Sequence, residues 1–154
     1  MSWRSKNPTI GKNKSMRLTD LKSIFNLPNI DFVDLQYGDT KKEKKEFKDN
    51  FGFELVEMND IDNFNDISKL AALINVCDFV ITASNVTAHI AGALNKKTYL
   101  IVPYTDGRIW YWGIDEHKSL WYPSIQILRS DKLQDWEAPI KNLMDLLSQE
   151  INYE

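Results

Sequence analysis

The sequence predicts an α/β protein with an open, mostly parallel sheet of Rossmann type and helices on both faces. Short apolar runs alternate along the chain with segments of helical spacing about ten residues long. Parallel strands need such helical crossovers, and both faces of the sheet then need helical cover. The length of 154 residues fits one domain, residues 1–154.

In the first part of the chain, apolar residues at helical spacing predict a helix over residues 18–25, closed by Pro28. Residues 31–36 and 53–56 predict strands. The lysine- and glutamate-rich residues 40–50 between them predict an exposed helix.

In the second part, residues 67–74 place apolar side chains on one face, which predicts a helix capped by Asp66 or Asn65. The remaining predicted elements are strands at 78–83, 98–102 and 124–128, and helices at 86–94 and 140–151.

The start of the chain predicts an incomplete sheet. A first strand should precede the loop that begins at Ser2, yet the chain begins there. We therefore expect the first strand to be missing or truncated, or to be supplied by another element, because proteins normally cover an unpaired strand position. This pattern is typical of a piece of a larger protein or of a chain completed by a partner.

Composition excludes several classes of protein. The formal net charge is -3 and 43% of residues are hydrophobic, which excludes a disordered tail. The apolar runs are too short for a membrane span, and the basic start lacks the apolar stretch of a signal peptide. Cys77 is the single cysteine, which excludes an intrachain disulfide or a multi-cysteine zinc site. We expect a cytoplasmic protein.

The first 18 residues are basic and contain no acidic residue; their cations are Arg4, Lys6, Lys12, Lys14 and Arg17. This local charge indicates either an anion site or a solvated arm. A nucleic-acid surface usually has a broader basic face, so we expect no nucleic-acid partner.

The most informative chemistry follows the strand predicted at 78–83. In open α/β sheets ligands bind beyond the carboxyl ends of the strands, and a helix that starts there attracts phosphate through its free N–H groups and its dipole. Ser84, Asn85 and Thr87 add polar side chains that can donate to phosphate oxygens. His89 lies one turn further on, and we expect it to be neutral because a cation is disfavoured at a helix N-terminus. The alternative is that Ser84 or Asn85 only caps the helix and His89 is a satisfied core residue.

The string VITASNVTAHIAGAL, residues 80–94, resembles the strand–turn–helix of the heptosyltransferase-like glycosyltransferases, glycosyltransferase family 9. It is most similar to the C-terminal domains of bacterial tetratricopeptide-repeat proteins. Other pieces in the family's order are residues 2–5, 14–18, 35–36, 66–73, 121–124 and 135–136. The chain departs from the family at Ser84-Asn85, where the family has an acidic residue, and at Asn95, where it has glycine.

The resemblance implies the C-terminal, donor-binding half of a GT-B glycosyltransferase that needs no metal. The residues it assigns to the diphosphate of a nucleoside-diphosphate sugar are Ser84, Asn85, Thr87, His89, Ser2, Ser5 and Lys14, with Gln36 a candidate for the nucleoside end. The nucleotide sugar is the donor substrate, so no cofactor is expected. The family's acceptor site and general base lie largely on an N-terminal domain, so catalytic residues are not assigned. We expect an acceptor-binding N-terminal domain or a partner chain to complete the enzyme, and a homo-oligomer is also consistent with the sequence.

Two further features leave alternatives open. Residues 104–112, with Trp121 and Tyr122, are rich in aromatic rings, which can stack on a base or sugar but more often pack a loop onto a domain. Within this loop Arg108 can approach a phosphate. Asp60 and Asp62 form an Asp-x-Asp pair of the kind that binds metal in another glycosyltransferase fold, but a solvated acidic loop is favoured.

Two other functions are consistent with the sequence. One is a non-catalytic nucleotide-binding module. The other is a protein-interaction domain that uses the aromatic loop and the incomplete sheet edge.

Overall fold

The computed structural model describes residues 1–104, 108–113, 117–133 and 135–151. Its strands are β1 (Val80–Ala83), β2 (Thr98–Val102) and β3 (Ile125–Arg129). Its α-helices are α1 (Lys41–Phe51), α2 (Ile67–Val76), α3 (Val86–Ala93) and α4 (Glu137–Ile151). Segments Lys12–Lys14, Leu18–Asn26 and Trp110–Trp112 form 3₁₀ helices.

The three strands form one open parallel sheet in the order β1-β2-β3, which confirms the predicted α/β class. The predicted helix over residues 18–25 is a 3₁₀ helix rather than an α-helix. The strands predicted at 31–36 and 53–56 are wrong in extent, since a single parallel bridge joins Val33 to Val56.

Residues 1–3, hereafter the N-terminal segment, lie beside β1. Ser2 forms a parallel bridge with Thr82, and on the other side the Leu35 N–H donates to the Met1 carbonyl at 2.9 Å. The N-terminal segment therefore occupies the first-strand position of the sheet, between β1 and residues 32–36.

The segments of the extended sheet have a definite order in space. It runs from residues 55–57 through 32–36 to the N-terminal segment, and then through β1, β2 and β3. This is the Rossmann order 3-2-1-4-5-6, with the direction of winding reversed between the N-terminal segment and β1.

Alternate residues of the strands bury their side chains on opposite faces. Ile81 and Tyr99 pack in a core cluster with Leu143 of α4 and with the 3₁₀ helix Leu18–Asn26. On the other face, Val80 packs with α2, and Leu100 packs with α3 and Trp112. Helical segments cover both faces of the sheet, as predicted. The ends of the strands are therefore the places where binding groups can gather. Among the described residues no helix has the length and apolar content to cross a membrane.

Candidate anion-binding site at the carboxyl edge of the sheet

The reversal of strand order defines a crevice at the carboxyl edge of the sheet. Arg4 follows the N-terminal segment and Ser84 follows β1, so the two chain segments leave the sheet side by side at this point. In open α/β sheets such a switch point is where ligands bind. The local fold therefore places the first loop and the start of α3 together.

A buried hydrogen-bond network joins three residues that the sequence assigns to the site. The Asn85 amide donates to Ser2 Oγ at 2.7 Å and to the Arg4 carbonyl at 3.0 Å. Gln36 Oε1 accepts from Ser2 Oγ and from the backbone N–H groups of Trp3 and Arg4. The network fixes the path of the first loop against α3, so Asn85, Ser2 and Gln36 position the crevice. Their direct contact with a ligand stays a prediction.

The start of α3 is capped from within the chain. Asn85 Oδ1 accepts the Thr87 N–H at 2.9 Å, which is the N-cap interaction given above as the alternative. Ser84 Oγ accepts the indole N–H of Trp112 at 2.9 Å. Both side chains are buried, so donation to a phosphate requires the covering groups to shift. Thr87 Oγ1 is also buried, and it has no hydrogen-bond partner among the described residues.

His89 lies among aromatic rings at the same edge. Its ring nitrogens are each 3.2 Å from a tyrosine hydroxyl, Nδ1 from Tyr122 and Nε2 from Tyr111, and Trp112 stacks on the ring at 5.0 Å. Burial, with a further contribution from the charge of Lys14, holds the pKa of His89 below its usual value. This direction agrees with the neutral form expected from the sequence. The tyrosine partners were missed, although the density of rings in residues 104–122 was their signal.

Lys14 is the buried cation of the site. The Lys14 residue is only 5% exposed, and its ammonium has no ion-pair or hydrogen-bond partner among the described residues. Burial lowers the pKa of Lys14, and its charge is near enough to His89 to affect that residue's pKa. The ammonium nitrogen is not among the fully buried side-chain atoms that lack a partner, so it keeps some contact with solvent while the rest of the side chain is enclosed. A nearby anion would offset the cost of this partial desolvation. Lys14 therefore offers a positive charge to an anion at this edge of the sheet.

Beside this buried part lies a basic cleft of about 370 Å³. Its lining includes Ser5, Tyr37 and Asp39 and the four cations Arg4, Lys6, Lys12 and Arg17. Arg4 pairs with Glu43 at 3.3 Å and Arg17 with Asp20 at 2.9 Å, both outside the cleft lining. Lys6 lies 5.0 Å from the ring centroid of Phe64, and neither Lys6 nor Lys12 has an ion-pair partner in the part of the chain that is described. The cleft thus presents excess positive charge in a protein of net charge -3.

In the aromatic loop one tryptophan is packed into the domain and two are exposed to solvent. Trp112 is buried, as the packing interpretation predicts, but Trp110 and Trp121 are 77% and 63% exposed. Arg108 is half-buried, and its Nε has no hydrogen-bond partner within the described ranges. No hydrogen bond or ion pair joins Arg108 to the described residues of the crevice, so its phosphate role stays a prediction. Residues 105–107 of this loop lie outside the described residues.

The acidic loop that contains Asp62 is held by hydrogen bonds among its own residues. The Asp62 carboxylate accepts the backbone N–H groups of Phe64 and Asn65 and the Asn65 amide. These hydrogen bonds lower the pKa of Asp62. In the described ranges no three His, Cys, Asp or Glu side chains cluster as metal ligands would.

Comparison with known proteins gives one informative match. The chain is similar to Protein FlbA of Caulobacter vibrioides (strain ATCC 19089 / CIP 103742 / CB 15), with 32% identity over 114 residues. The matched part is 74% of this chain but 18% of FlbA, so the chain spans a small part of that protein's length. No family model matches the chain, and no solved structure matches it significantly.

Proposed function

We propose that this domain binds a nucleoside-diphosphate sugar at the carboxyl edge of its sheet. In this proposal it is the donor half of a metal-independent, heptosyltransferase-like glycosyltransferase. The observation that carries the proposal is Lys14 beside the switch point: the residue is 5% exposed, and its ammonium has no ion-pair partner among the described residues. An anion at this position offsets the cost of burying the charge.

The chemistry of the edge suits a diphosphate. Lys14, the start of α3 and the cations of the basic cleft supply positive charge over a short distance. A departing nucleoside diphosphate gains negative charge as the sugar bond breaks. Fixed cations and backbone N–H groups stabilise that charge without a metal ion.

The proposal assigns donor binding to this chain and acceptor binding to another domain, a partner chain or a second copy. It places the protein in the cytoplasm. Catalytic residues are not assigned, and the domain is not expected to turn over a sugar donor by itself. The similarity to FlbA covers 18% of that protein, which leaves ample length there for further domains.

A protein-interaction role is the second candidate, and the exposure of Trp110 and Trp121 favours it. Their rings meet edge to face, with centroids 6.5 Å apart, and present apolar surface next to the candidate site. Aromatic side chains of this kind are enriched at the centres of protein interfaces.

Titration calorimetry with UDP, GDP, ADP, dTDP and inorganic pyrophosphate tests the proposal. We expect at least one nucleoside diphosphate to bind, and EDTA to leave the binding unchanged. Lys14→Met should weaken binding, while the matched surface variant Lys41→Met, on exposed α1, should bind like the parent. Absence of binding by every probe at millimolar concentration would contradict the proposal and favour the interaction role.

A further inference from the structure

The two arginines of the basic cleft use their guanidinium groups differently. Arg17 binds the Asp20 carboxylate through two nitrogens, Nε at 3.2 Å and Nη2 at 2.9 Å. Arg4 contacts Glu43 through Nε alone, at 3.3 Å, and its terminal nitrogens Nη1 and Nη2 have no hydrogen-bond or ion-pair partner among the described residues. A guanidinium in this state keeps its terminal nitrogens for another oxyanion.

The backbone of Arg4 is fixed at the switch point. Its N–H donates to Gln36 Oε1 at 2.7 Å, and its carbonyl accepts the Asn85 amide at 3.0 Å. Arg4 also lines the basic cleft, and its side chain is 42% exposed. The guanidinium therefore extends from an anchored backbone into a region that an anion can reach.

Glu43 is held by groups from both ends of the first loop. Its Oε2 accepts the indole N–H of Trp3 at 3.0 Å, and its Oε1 accepts the backbone N–H of Leu18 at 2.9 Å. The Glu43 side chain is 15% exposed, so these hydrogen bonds are partly shielded from water. A carboxylate held by two donors can fix the direction of a third, which here is the Arg4 guanidinium.

We propose that Arg4 binds the diphosphate through its terminal nitrogens, and that Glu43 is the positioning residue that directs the Arg4 guanidinium into the basic cleft. The inference rests on the proposed function, since the diphosphate is that of the nucleotide sugar. The Glu43 charge weakens the positive potential of the cleft, but its contact with Nε restricts the rotamers of a long side chain. An arginine oriented in advance loses less conformational entropy when the anion binds.

Positioning and simple electrostatics predict opposite signs when the Glu43 charge is removed. If Glu43 only neutralised a cation, Glu43→Gln would raise the affinity for an anion, because a negative charge leaves the neighbourhood of the cleft. If Glu43 positions Arg4, the same variant lowers the affinity. Asp39→Asn is the matched control, because Asp39 lines the cleft and forms no ion pair with the described residues. Asparagine keeps the Oδ1 that accepts the Lys41 N–H at 3.1 Å.

Titration calorimetry of the full chain at fixed ionic strength, with inorganic pyrophosphate, UDP, GDP, ADP and dTDP, tests the assignment. Arg4→Gln should lower the affinity about tenfold or more, and Arg4→Lys should lower it at unchanged net charge. Glu43→Gln should lower the affinity about threefold or more, whereas Asp39→Asn should raise it. In the Arg4→Gln background, Glu43→Gln should no longer lower the affinity, because the group that Glu43 positions is absent.

Three results would overturn the inference. One is a rise in affinity for Glu43→Gln like that of the control. Another is parent-like affinity for Arg4→Lys, a variant that should fold normally because the Arg4 side chain is 42% exposed. The third is an equal loss from Glu43→Gln with and without Arg4, which would show a purely structural role. Each of these leaves the proposed function standing if the parent binds a diphosphate, whereas a parent that binds none of the probes overturns both.

Discussion

Replacement of Lys14 by methionine tests the electrostatic basis of the candidate site, because the two expected effects have opposite signs. Methionine keeps the length and apolar contacts of the side chain but removes its charge. Lys14 is 5% exposed and has no carboxylate partner among the described residues. The variant should therefore be more stable than the parent and should bind the diphosphate more weakly.

The magnitudes follow from the burial. The partial desolvation of an ammonium with no ion-pair partner among the described residues costs about 1 kcal/mol, so removing the charge should raise the free energy of unfolding by about that amount. For a domain of this size the melting temperature should rise by about 2–4 °C. A hydrogen bond to a charged group contributes about 1.5–3 kcal/mol, so the affinity for a bound nucleoside diphosphate should fall roughly 10- to 150-fold.

The pH dependence gives a second measure of the same charge. Burial lowers the pKa of Lys14, so the unfolded chain binds more protons than the folded chain between that pKa and the usual value of 10.5. Over this interval the parent should gain stability as the pH rises, and Lys14→Met should lack that gain. The affinity of the parent should fall over the same interval, because the ammonium charge is lost.

Calorimetry measures the nucleotide affinity, and urea denaturation the free energy of unfolding, of the parent, Lys14→Met and Lys41→Met. Lys41 is exposed at the start of α1, so its replacement should change stability by no more than about 0.5 kcal/mol. Higher stability with unchanged affinity would refute the assignment of Lys14 to the site. A large loss of stability would show that the ammonium has a counter-charge in the folded protein.

Three further variants test the surroundings of α3. Gly92→Ala should destabilise the fold by about 1–3 kcal/mol in urea denaturation, because the added Cβ would lie 2.4 Å from Tyr122 Cγ; parent-like stability would show that the ring moves freely. Asn85→Asp keeps the capping oxygen but cannot donate a hydrogen bond to the first loop, so its nucleotide affinity should fall. Asn85→Ala loses the capping oxygen as well, so it should also lose about 1 kcal/mol of stability. Equal stability of the two variants would argue against the cap. Burial lowers the pKa of His89, so NMR should show His89 titrating below 6.5, and the stability of the protein should fall as the pH drops below that value. Lys14→Met should raise the pKa of His89, because it removes a nearby positive charge. An unchanged His89 titration in that variant would show that the Lys14 charge is not close to His89.

Much of the fold could be predicted because hydrophobic periodicity reports burial directly. β2 has the predicted bounds, and α3 and the α2 cap Asp66 lie where their local patterns place them. An open parallel sheet with helices on both faces was also expected from the alternation of the elements. The short pairing of Val33 with Val56 was not, since strand length depends on neighbours and not only on the segment's own residues.

The candidate site shows a similar division. The sequence could assign Ser84 and Asn85 to the carboxyl edge, because ligands bind beyond the strand ends of an open α/β sheet, whereas Lys14 was assigned through the family resemblance. It could not show that Asn85 bonds to Ser2, or that Ser84 receives the Trp112 indole, since these partners are far apart in the chain. For the same reason the sequence could not show that Tyr111 and Tyr122 flank His89.

By itself the sequence determined the alternation of strands and helices, the charge of the first loop and the residue types at the turn after β1. These are local properties, set by side-chain chemistry and spacing. The tertiary structure alone decided that Lys14 is largely enclosed with no ion-pair partner among the described residues, and that Asn85 and Gln36 tie the first loop to α3. Burial and pairing depend on groups that meet only when distant segments pack, and a periodic pattern within one segment carries no information about them.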